Sequence, residues 1–251
     1  MLQEKLYEYL LHLGDNSMIL GQRLGELCGH GPELETDIAL TNISLDLFGQ
    51  VRNYFQAAAQ IKGGDATEDT IAMLRYEHEY KNVYLVEQPN DDFAHVIVRQ
   101  FFFDVYHQLL LNELIKSKNE TLVAIAKKSI KEVDYHVDFS STWVKRLGDG
   151  TEVSHEKMQT AVNTLWRYSM ELFNATEVEQ WAAESGVGPD LDALKPFYIS
   201  RVEEVLHEAT LTLPEETVFQ YGAKTGRHSE NMGYILADFQ YMQRAYPNMK
   251  W

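Results

Sequence analysis

The sequence predicts an all-α protein, and three observations carry that reading. Its 251 residues hold only six prolines and 15 glycines, gathered at a few points, so long stretches run without a helix breaker. Apolar residues recur three and four apart, and no segment sustains the period-2 alternation of a half-buried strand. Caps and stop signals then divide the chain into helices of unequal length.

The first helix is expected from about Leu2 to Cys28, where Gly29, Gly31 and Pro32 end it. The second runs from about Glu33 to Lys62 and stops at Gly63–Gly64, with Leu40, Ile43, Leu47, Val51 and Phe55 in helical register. A third is expected over about 67–87, before Pro89. The fourth, about Asp92 to Lys118, is the most apolar. The fifth runs from about Glu120 to Leu147 and ends at Gly148-Asp149-Gly150. Shorter helices follow near 154–173, 176–185 and 190–211, and a last one uses Met232, Ile235, Leu236, Phe239 and Met242.

Helices one, two, four and five are each about 25–30 residues, roughly 40 Å long at the α-helical rise. Two long helical hairpins joined by one long crossover make the ferritin-like form of a four-helix bundle. A single domain over 1–251 is therefore expected, its bundle core over about 2–147 and the helices of 154–246 packed around it.

Composition removes several function classes. A net charge of −16 argues against a nucleic-acid partner, because phosphate binding needs a basic face. Cys28 is the one cysteine, which excludes an internal disulfide and a Cys-based zinc site and suits a reducing cytoplasm. The opening residues have neither a basic n-region nor a small-residue cleavage site, so no signal peptide is expected. The most apolar window, VIVRQFFFDVYHQLLLNELI, contains Arg99, Asp104 and Glu113, and reads as a buried core helix rather than a membrane span. No phosphate loop or serine-nucleophile elbow is present.

Residues 131–139, KEVDYHVDF, raise the question of a metal. Di-iron bundles use two Glu-x-x-His pairs and two further carboxylates, all projecting into the core. Acid-x-x-His spacing occurs here four times, at Asp92/His95, Asp104/His107, Glu152/His155 and Glu204/His207. Chance alone gives about 1.4 such pairs in a chain of this composition, so spacing is weak evidence. Asp92 reads as a helix cap, and Glu204/His207 as a surface or satellite pair. Helix two has no histidine; DLFG, Asp46 to Gly49, stands where its motif would fall. In helix five Glu132 and His136 share a face four apart.

Projected on their helices, Ile43, Asp46 and Gln50 of helix two, Asp104 and Gln108 of helix four, and Glu132 and His136 of helix five turn toward the bundle interior. Helix one adds Gln22, Arg23 or Glu26. Asp46, Asp104, Glu132 and His136 therefore form a degenerate di-iron layer. The pattern favours a satisfied polar layer in which His136 or Arg23 neutralises a carboxylate. A single bound metal, or an independently active metal oxygenase using these four residues, is the alternative. A weaker reading is an acyl-CoA carrier using Arg75, Lys81 or Lys127–Lys128 for phosphates.

Three stretches then resemble one family over essentially the whole chain. They are LGDNSMILGQRLGELCGHGPELETDIALTNISLDLFGQVRNY, YLVEQPNDDFAHVIVRQFFFD and IKEVDYHVDFSSTWVKRLGDGTEVSHEKMQ, with the tail GRHSENMGYILADFQYMQR in addition. They are similar to the PaaC subunits of phenylacetyl-CoA epoxidase. The resemblance implies a ferritin-like structural subunit, without catalytic residues or a cofactor of its own. It also implies a homologous PaaA-like partner that carries the di-iron site, and further subunits in a complex that epoxidises the ring of phenylacetyl-CoA. Whether the isolated chain self-associates stays open.

Overall fold

The structure, a computed structural model, describes residues 2–247 and 249, and among these it is all-α. The helices are α1 (Leu2–Gly25), α2 (Leu34–Lys62), α3 (Glu68–Met73), α4 (Tyr84–Glu87), α5 (Phe93–Leu114), α6 (Glu120–Gly148), α7 (Glu152–Leu165), α8 (Glu177–Ser185), α9 (Leu191–Glu208) and α10 (Glu230–Ala245). The four long helices fall where the sequence places them. Contacts gather the chain into two compact units, Met1–Glu87 with Gly222–Trp251, and Gln88–Tyr221. Each unit is built on one long helix pair.

In the first unit α1 packs along α2, with α4 and α10 also against α1. From Tyr9 to Leu24 nearly every α1 residue is buried, which requires neighbours on all sides of the helix. The contact with α2 is close. A Cβ at Gly14 would lie 2.3 Å from the Phe55 ring, and the Ser44 hydroxyl donates to the Gly21 carbonyl at 2.7 Å. α1 ends at Gly25, short of Cys28. There the Asp37 carboxylate accepts from the Gly29 and Gly31 amides, and Gly29 takes a positive φ of 83° that side chains rarely adopt. Those two hydrogen bonds hold the Asp37 carboxyl below its usual range.

The expected third helix, 67–87, is not continuous. α3 ends at Met73, a 3-10 turn covers Glu77–Glu79, and α4 is a single turn. The backbone donors that would continue the helix are captured by buried side chains of α1. Lys81 N donates to Asp15 at 2.8 Å and Val83 N to Asn16 at 2.9 Å. Buried side-chain acceptors thus override local propensity.

In the second unit α5 contacts α6, α7 and α9. It is buried on every side from Ala94 to His107 apart from His95, as a central helix must be. Burying a Phe or Leu side chain contributes about 1.5–3 kcal/mol, and Phe101, Phe102, Phe103 and Leu111 are all essentially inaccessible. α5 stops at Leu114 rather than Lys118, because Lys118 N donates to Gly186 O and the Ser117 hydroxyl to Val187 O. The helix expected over 154–173 is α-helical only to Leu165 and continues as 3-10 helix to Phe173. No helix among the described residues is long and apolar enough to cross a membrane.

Candidate functional site

Two of the four residues of the predicted layer, Asp104 and His136, lie in the second unit, where α5 faces α6. Asp104 and His136 are both fully buried. Asp104 Oδ1 accepts from Gln100 Nε2 at 2.6 Å, and its Oδ2 lies 2.8 Å from Ser140 Oγ. That same hydroxyl lies 2.9 Å from the His136 carbonyl oxygen. A hydroxyl has one proton and cannot donate to both. A protonated Asp104 resolves the conflict, donating to Ser140 Oγ while Ser140 donates to the carbonyl.

The electrostatics point the same way. Burial pushes the Asp104 carboxyl up to about 7, against the opposing pull of His136, Ser140 and Gln100. His107, one turn along α5, is pushed down to about 3 by burial and by the neighbouring His136. It stays neutral, packed 5.2 Å from the Phe103 ring centroid. The layer can therefore store a proton at neutral pH.

This has a measurable sign. A carboxyl whose pKa is raised from 3.8 to about 7 binds its proton more tightly in the folded chain, so its contribution to stability falls as pH rises from about 4 through about 7. Asp104→Asn, whose amide can accept from Gln100 and donate to Ser140, is expected to remove that decline. Denaturation midpoints measured across this range should converge at low pH and favour the variant above pH 7; parallel curves would refute it.

The remaining predicted residues are placed differently. Glu132 is half-buried, one turn before His136. Gln108 bonds the exposed Asp134 at 2.7 Å rather than Asp104. Asp46 lies on α2 in the first unit and is half-buried, whereas Gln50 of that helix is buried. Gly49, the position where a histidine would complete the α2 motif, is exposed with nothing near its missing Cβ. Asp92 caps α5, accepting from His95 N at 2.9 Å. Glu204 and His207 are both exposed, and Glu204 pairs with Arg201.

A larger polar network occupies the first unit, and spacing along the chain gave no sign of it. Arg75 is buried in a bidentate pair with Asp15, with Nη1 to Oδ2 at 2.8 Å, and its guanidinium lies 4.1 Å from the Tyr80 ring centroid. The weaker reading of Arg75 as a phosphate ligand does not match this placement, because its guanidinium is paired inside the protein. Lys127 and Lys128 are solvated on α6. Arg23, the other cation considered for the layer, lies on α1 of the first unit. It pairs with Glu26 at 3.0 Å and donates to the Glu87 carbonyl oxygen at 2.7 Å.

Glu87 is the second centre of that network. Its Oε1 receives Asn82 at 2.8 Å and His228 Nδ1 at 2.6 Å, and its Oε2 receives Ser229 N at 2.8 Å. The other His228 nitrogen lies 3.1 Å from the Tyr80 carbonyl oxygen. Both ring nitrogens face acceptors, so the ring is held as imidazolium; the Glu87 hydrogen bond raises its pKa against the opposing effect of burial.

Along its whole length, residues 1–251, the chain matches the family model described as phenylacetic acid catabolic protein. The chain belongs to that family. A curated relative, one of the subunits of the 1,2-phenylacetyl-CoA epoxidase of Escherichia coli (strain K12), is 47% identical over 247 residues, covering 98% of this chain and 99% of the relative.

In this member of the phenylacetic acid catabolic family, the layer differs in composition from a di-iron centre. Such a centre draws carboxylates and two histidines from four helices into one cluster. Among the described residues no three His, Cys, Asp or Glu side chains gather as metal ligands would. What the layer holds together is an acid, two histidines, an amide and a hydroxyl, joined by hydrogen bonds and charge.

Proposed function

We propose that this chain is the structural, non-catalytic subunit of a cytoplasmic phenylacetyl-CoA epoxidase. In this reading it stabilises a homologous subunit that carries the di-iron site, within a complex of further subunits acting in aerobic phenylacetate breakdown. The similarity to the Escherichia coli epoxidase component supports the complex. The observation that carries the structural role is the hydrogen-bonded Asp104–Ser140–Gln100 layer beside His136, combined with an exposed Gly49 on α2. A protonated carboxyl already engaged by an amide and a hydroxyl is a poor candidate for a metal ligand.

Purification of the chain alone and with the catalytic and accessory subunits tests this reading by iron counting. The expected result is one stable complex, with iron following the catalytic subunit and no oxygen-dependent turnover by this chain alone. Two irons per chain in the isolated protein, lost on replacing Glu132 and His136 with alanine, would support the independently active oxygenase instead.

A further inference from the structure

Large apolar side chains left in solvent mark interaction surfaces when they cluster. In the first unit Leu34, Ile38 and Leu45 are exposed along α2, and the aromatic ones gather in two short stretches that meet. One is Leu74 and Tyr76, ahead of the 3-10 turn. The other is Tyr234, Tyr241, Met242 and Tyr246, along and just beyond α10. Tyr76, Tyr234 and Tyr241 are 64%, 72% and 60% exposed, more than any internal packing role explains. Arg244 joins the stretches. Its guanidinium sits 5.2 Å from the Tyr76 ring centroid, and Nη2 donates to the Leu74 and Arg75 carbonyl oxygens at 3.2 and 2.9 Å.

The charge of this face is one-sided. Tyr234 and Tyr241 are seven apart and share a side of α10 with exposed Asp238 between them. Glu230 opens the helix, and the Glu77 carboxylate lies 3.7 Å from where a Gly233 Cβ would stand. From Glu230 to Gln243 the helix has no Lys or Arg, and Arg244 is spent on carbonyl oxygens and Gln240. Beside the exposed Arg244, which already covers the Tyr76 ring, the face offers the Tyr234 and Tyr241 rings with carboxylates and no Lys or Arg between them.

We infer that this α10 face docks a Lys- or Arg-bearing segment of another subunit of the epoxidase. Guanidinium and ammonium groups stack on tyrosine rings and pair with carboxylates, and tyrosine-rich patches supply a large share of interface energy. A second copy of this chain is disfavoured as occupant: at a net charge of −16 each, two such faces would set carboxylate against carboxylate. The inference rests on the subunit reading proposed above and adds the surface and the chemistry of its partner.

Co-expression with the catalytic and accessory subunits, followed by affinity purification, tests it. The wild-type chain is expected to retain a subunit at about 0.1 M salt and to hold it less well at about 0.5 M. The double variant Tyr234→Ser/Tyr241→Ser should weaken retention by about tenfold or more. Asp238→Lys, which reverses charge without removing a ring, should weaken it as well. All these positions are solvent-exposed, so both variants should melt as the wild type does. Retention of every subunit at wild-type level by either variant overturns the inference while leaving the subunit reading intact. Failure of the wild-type chain itself to retain any subunit overturns both.

Discussion

Asp15→Ala is expected to cost about 3–5 kcal/mol of stability, because it leaves the buried Arg75 charge without its carboxylate. Both side chains are almost wholly inaccessible, at 0% and 6% exposure, so water cannot take the place of the lost partner. The same substitution also removes the acceptor of Lys81 N, the bond that turns the chain out of helix after α3. A lowered urea midpoint measures the effect. The double variant Asp15→Leu/Arg75→Met should recover much of the loss, since removing both charges also removes the desolvation cost. An exposed pair is the control: Glu204→Ala, which parts Glu204 from Arg201, should leave the midpoint where it was.

His228→Ala is the second large effect, about 3 kcal/mol or more near pH 6, because Glu87 would then be buried as a carboxylate without its cation. The sign with pH follows from the raised imidazolium pKa. The clasp contributes fully below the unfolded value of about 6.5, and is lost as pH rises through the higher folded value. Above that value the neutral ring can donate from only one nitrogen, and the Tyr80 carbonyl oxygen or the Glu87 carboxylate loses its donor. Midpoints of wild type and variant should therefore approach each other as pH is raised; a gap that stays constant to alkaline pH would show that His228 is held neutral.

How much of this was readable beforehand differs by feature. The long helices were legible because Leu40, Ile43, Leu47, Val51 and Phe55, and their counterparts on α5 and α6, keep a period that only a helix satisfies. Asp104 and His136 were legible for the same reason, since each falls on an apolar stripe. Of the predicted α2 positions Ile43 and Gln50 are buried and Asp46 is half-buried, because the stripe passes through Ser44 and Leu47 on either side of it, a shift too small for periodicity to resolve. The break after α3 depends on Asp15 and Asn16, which lie more than 60 residues away. The Glu87–His228 pair spans 141 positions. Spacing arguments see only neighbours on one element, so partners brought together by tertiary packing lie outside their reach.

The clasp at Glu87 also dictates an order of events during synthesis. Gln88–Tyr221 is one unbroken stretch, all of which has been made once Tyr221 leaves the ribosome. The other unit needs both ends of the message: Asn82 and Glu87 are made early, yet His228, Ser229 and Gln240 arrive last. Until then the Glu87 carboxylate has Asn82 but lacks His228 and Ser229, and the Tyr80 hydroxyl has the Ala72 carbonyl but lacks Gln240. A premature stop after Tyr221 would therefore spare the later-made unit and leave the first-made one unable to close.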